Sequence, residues 1–108
     1  MELGKVINLL IKKRGLTQVE VASRIGKSTT ALSQIIKGTY NPNPDTLGRI
    51  CKVLNVPQPI LYFLTMSEND IPADKLEIYR MLAPSIKDFL IKIFGEESVE
   101  LKEEVSLN

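Results

Sequence analysis

Between positions 28 and 37 the chain sets small hydroxyls, one amide and one ammonium at helical spacing: Ser28, Thr29, Thr30, Ser33, Gln34 and Lys37. Hydroxyls and amides both donate and accept hydrogen bonds. The chain has no histidine to serve as their general base. Recognition is therefore the chemistry on offer. Leu32, Ile35 and Ile36 give the same segment an apolar back. That combination suits a helix that enters a groove of DNA instead of burying itself fully.

A recognition helix needs a rigid frame, and the residues before it specify one. Thr17 and Glu20 form a T-x-x-E capping box. Val21, Ala22 and Ile25 share one face of the helix that follows. Gly26 can take the left-handed conformation that ends a helix at little steric cost, Ser28 can cap the next helix, and Gly38 ends it. Ala22 is small enough for two helices to cross at close range. Val21, Ala22, Ile25, Gly26, Leu32 and Ile35 each answer a separate steric demand of one two-helix unit.

Together these residues resemble the Cro/repressor-type (XRE) helix-turn-helix family. The resemblance covers residues 3 to 64 and includes Leu3-Gly4, Gly15-Leu16-Thr17-Gln18, Ala22, Gly26, Ser33, Gly38, Asn41-Pro42, Leu47 and Leu54-Asn55-Val56. It implies an all-α fold, a bundle of five short helices that binds DNA usually as a dimer. It also implies that Thr29, Thr30 and Gln34 read bases, with Gln34 able to pair with adenine N6/N7 and the threonine methyls able to touch thymine. No arginine lies on this face, so A/T-containing half-sites are expected. Gln18 matches a family phosphate contact, beside a helix dipole; Lys27, Ser28, Ser33, Lys37, Thr39, Tyr40 and Asn41 are further phosphate candidates. The chain departs from the family at Lys27, in a turn position that is usually apolar. Ile11 and Ile36 stand where the family often places an arginine–glutamate pair. Replacing both partners with apolar groups can be neutral or stabilising, and the two are expected to touch.

Composition sets bounds. The chain has 108 residues, 44% hydrophobic, enough for one small domain plus an appendage. It has no run of 18 apolar residues and its start lacks the shape of a secretory signal. Cys51 is the lone cysteine, on the apolar stripe Leu47, Ile50, Cys51 and Leu54, where it reads as core. A cytoplasmic location fits. The net charge of +1 hides an asymmetry: residues 1–64 carry nine Lys/Arg and three acids, and residues 65–108 carry five and ten. A basic first part is what a polyanion binder requires. No histidine, one cysteine and no Gly-rich phosphate loop argue against an enzyme, a metal site or a cofactor.

The coarse division is a helix-turn-helix domain over 1–64, a linker over 65–71, a helical extension over 72–94 and an acidic tail over 95–108. Helices are expected at about 2–14, 18–25, 29–37, 44–54 and 58–64. In the extension, Leu76, Tyr79, Leu82, Ile86, Phe89, Leu90 and Ile93 form a stripe fit for a helix–helix seam, hence dimerisation. The same stripe could pack on Ile60, Leu61, Phe63 and Leu64 of its own domain. Pro84 should kink or break that helix. In the tail, Val99, Leu101, Val105 and Leu107 could dock on a partner or on the domain itself; docking on a partner would make an antitoxin-like or adaptor module the alternative to a dimeric transcriptional repressor.

Overall fold

Three of the helices begin where a side chain offers their free N–H groups a partner. In the computed structural model, which describes residues 2–95, the order is α1 (Leu3–Lys13), α2 (Gln18–Arg24), α3 (Thr29–Lys37), α4 (Pro44–Leu54), α5 (Gln58–Thr65) and α6 (Leu76–Gly95). The Thr17 hydroxyl accepts from the Glu20 N–H, and the Glu20 carboxylate accepts from the Thr17 N–H, which completes the capping box of α2. Ser28 caps α3 through the Ala31 N–H at 3.0 Å. Asn43 caps α4 through the Thr46 N–H at 2.8 Å, with Pro44 in the first turn. The turn between α2 and α3 passes through Gly26 at φ 73°, a conformation costly for any residue with a Cβ.

One apolar core joins α1 through α5. Val6, Ile7, Leu10, Val21, Ile25, Leu32, Ile50, Leu54, Leu61 and Leu64 are fully buried in it. Ile11 is buried and Ile36 half-buried against the same core, so neither side chain of the replaced ion pair stands in solvent. Cys51 is buried, and desolvation pushes its thiol above the ordinary value, as expected of a core residue.

The extension folds onto this core. The stretch expected to link the two parts holds a short 3-10 turn over Glu68–Asp70, and a second over Ala73–Lys75 opens the extension before α6. The Tyr79 hydroxyl donates to the Met66 carbonyl at 2.9 Å, and Lys87 Nζ donates to that same oxygen. Arg80 forms a two-pronged ion pair with Glu68 at 2.7 and 3.0 Å. At the far end, Arg14 Nη1 donates to the Phe94 carbonyl, and Gly95 lies against Lys13 and Leu10. Of the two outcomes expected at Pro84, a fresh helix start is absent: α6 continues through it. Proline has no N–H for the Arg80 carbonyl, but Ala83 on one side and Leu90, Ile91 and Phe94 on the other pack inward, so both halves are held on one body. No helix among the described residues is long and apolar enough to cross a membrane. The tail readings at Val99, Leu101, Val105 and Leu107 lie outside the described residues.

Candidate nucleic-acid interface

α3 is anchored by its back. Leu32 and Ile35 are buried, and the backbone of α1 crosses α3 at Gly4. A Cβ at Gly4 would collide with the Ile36 carbonyl oxygen and lie 2.6 Å from that of Ile35. Such an approach leaves α3 little room to shift relative to α1.

The front of α3 is open. Thr29, Thr30, Gln34 and Lys37 are exposed, and Ser33 is half-buried. Thr30, Gln34 and Lys37 stand four and three residues apart, so they form one outward row. Ser28 is exposed, with its oxygen engaged by the cap, which leaves its O–H free to donate. Lys27 before the helix and Thr39, Tyr40 and Asn41 after it are exposed as well. The loop holding them is pinned, since the N–H groups of Thr39 and Tyr40 both donate to the Gln34 carbonyl at 3.0 and 3.3 Å. The base-reading candidates and eight phosphate candidates thus fall into two groups: nine exposed on α3 and its flanks, and Gln18 and Ser33 half-buried.

Residues 7–57 match the family described as helix-turn-helix. A 60-residue segment is 38% identical to the ImmF control region 10 kDa protein of Bacillus phage phi105, covering 56% of this chain and 67% of that one. The chain belongs to the helix-turn-helix family, of Cro/repressor (XRE) type. No solved structure matches it.

As a helix-turn-helix protein it is a DNA-binding regulator of transcription, in a family that is not typically enzymatic. Its motif uses side chains that sequence reasoning did not single out. Asn8 accepts a hydrogen bond from Gln18 Nε2 at 3.4 Å, so the amide at the start of α2 is steered from α1. The signal is a lone amide on α1, in line with Gly4 and Ile11. Arg49 donates to the Ile25 carbonyl at 3.2 Å and pairs with Asp45 at 2.9 Å. It therefore places a cation at the C-terminus of α2, where the helix dipole favours one. Two of the nine basic residues in the first part, Arg14 and Arg49, are thus engaged with backbone carbonyls within the fold. Lys5, Lys12, Lys13, Arg24, Lys27, Lys37 and Lys52 remain exposed.

The stripe expected to form a seam on α6 is divided between two faces. Leu82, Ile86, Phe89 and Ile93 are exposed. Leu76 and Tyr79 are half-buried, and Leu90 packs on the core. The reason is geometric: a helix with apolar residues at 78, 79, 82, 83, 86, 89, 90, 93 and 94 has an apolar arc wider than one neighbour covers.

Proposed function

We propose that this helix-turn-helix protein is a transcriptional repressor that binds operator DNA as a homodimer, with α3 in the major groove of each half-site. The observation that carries the reading is the outward row Thr30, Gln34 and Lys37 on a helix whose opposite face is locked into the core. Thr29, Thr30 and Gln34 read base edges. Gln34 offers the paired donor and acceptor that adenine N6 and N7 require, and the threonine methyls suit thymine. Lys27, Ser28, Ser33, Lys37, Thr39, Tyr40 and Asn41 hold phosphates and set the register. Gln18 contributes from the start of α2. Occluding a promoter demands only tight operator binding, and repression is the sign of regulation proposed on that ground. The likeness to a protein named for a phage control region is in keeping with it.

Selection of bound duplexes from random sequence tests the proposal. The expected product is a two-fold site of A/T-containing halves whose centres lie about 34 Å apart, one helical turn. Gln34→Ala should relax one base pair in each half by about 1–3 kcal/mol. Recovery of G/C half-sites alone would contradict the assigned contacts. Failure to retard any duplex at low salt would favour a second reading, an antitoxin-like or adaptor module that binds a protein. The exposed apolar face of α6 is the observation behind that alternative.

A further inference from the structure

Six large apolar side chains of α6 face solvent: Ile78, Met81, Leu82, Ile86, Phe89 and Ile93, each 42–69% exposed. Together they leave on the order of 600–700 Å² uncovered, more than the single apolar patch of a typical monomer and close to the about 800 Å² per partner of a stable interface. The face is not uniform. Its N-terminal half borders an apolar groove of about 410 Å³, walled by Phe63, Ile71, Ile78, Tyr79 and Leu82. Ala83, 4% exposed, lies at the bottom of it. The C-terminal half carries the bulkiest protruding side chain of the helix, Phe89. Hollow and knob thus lie on one helix, on either side of Ile86.

We infer that this face is the dimer interface and that two copies of α6 pack antiparallel across it, each inserting Phe89 into the groove above Ala83 of the other. The inference rests on the homodimer reading and adds the surface and the direction. A two-fold contact must be self-complementary, so whatever one copy offers the other must receive. With the axis near Ile86, Phe89 comes opposite Ala83 and Ile93 comes opposite Ile78 and Tyr79. The largest side chain meets the smallest, twice. A parallel arrangement would stack Phe89 on Phe89 and leave both grooves empty. Of the other residues in the sequence stripe, Leu90 packs on its own domain, Leu76 is half-buried, and Tyr79, tied to Met66 through its hydroxyl, forms a wall of the groove.

The test uses the full chain. Sedimentation should give a dimer for the wild type and a monomer for Phe89→Asp at the same concentration, with dimerisation at least ten-fold weaker. Tyr62→Ser, which removes an exposed aromatic away from the groove, should remain dimeric. Cysteine cross-linking reads the direction independently of that variant. Ile86→Cys should link to itself. Ile78→Cys and Ile93→Cys should each fail to self-link, being about 22 Å apart along the helix at 1.5 Å per residue, but should link to one another when mixed. Self-linking of Ile78→Cys and Ile93→Cys, or a dimer that survives Phe89→Asp, would overturn the antiparallel interface while leaving the homodimer standing. A wild-type chain that sediments as a monomer at high concentration would overturn both.

Discussion

At Gly4 a single hydrogen atom keeps two helices in register. Alanine has the better helix propensity, worth about 0.5–1 kcal/mol over glycine. Here its methyl would enter the space of the Ile35 and Ile36 carbonyls, which are backbone and cannot swing aside. Overpacking costs about 1–3 kcal/mol, so the clash wins. Gly4→Ala is expected to lower the denaturation midpoint and to weaken operator binding beyond its effect on stability, because the displaced element is α3. An unchanged midpoint in urea would refute the close approach. Cys51 supports a second residue-level expectation. Burial raises its pKa, so the folded chain holds the thiol proton more tightly than the unfolded chain. Stability tied to this group is present below the ordinary thiol pKa and is lost as pH rises through the raised one. A thiol reagent should label Cys51 only at the rate of unfolding, and Cys51→Ala should flatten the alkaline decline in stability.

At the scale of the helices, what can be read from sequence depends on whether the deciding atoms are local. α2, α3 and α4 start where Thr17, Ser28 and Asn43 mark them, because a cap and its helix lie within three residues of each other. Exposure of Thr29, Thr30 and Gln34 was legible for the same reason: Leu32 and Ile35 commit the opposite face. Asn8–Gln18, Arg14–Phe94 and Arg49–Ile25 were not, since each joins residues ten or more apart. The orientation of α6 was only half legible, because its apolar arc is wide and the choice of covered half falls to Tyr79, Lys87 and their shared acceptor at Met66. The ion pair of Glu68 with Arg80 fastens the turn before α6. Its hydrogen bond from Arg80 holds the Glu68 carboxyl below the ordinary carboxylate range. A depressed carboxyl adds stability above its unfolded pKa and loses it as pH falls through the folded one. Glu68→Gln should therefore be slightly less stable than wild type near neutrality and equal to it in acid. The pair is exposed, so the difference should also shrink with salt.

For the whole molecule the governing quantity is where positive charge remains free. The first 64 residues carry an excess of six positive charges, yet Arg14 and Arg49 are engaged with carbonyls at helix ends. Of the exposed lysines, Lys27 precedes α3 and Lys37 lies in its last turn, whereas Lys13 lies against Gly95 at the end of α6. Proximity to α3, and not total charge, should then decide the salt dependence of binding. Each neutralised phosphate contributes about 0.9 to the slope of log affinity against log salt. In the proposed dimer, Lys37→Ala removes one such contact per protomer, so the slope should flatten by about 2, for every sequence alike. The deficit against wild type should be larger at 50 mM than at 200 mM salt. Lys13→Ala removes the same charge beside Gly95, where α6 ends, and should leave the slope unchanged. Equal flattening by both substitutions would mean that DNA senses the net charge of the molecule and that α3 is not the contact.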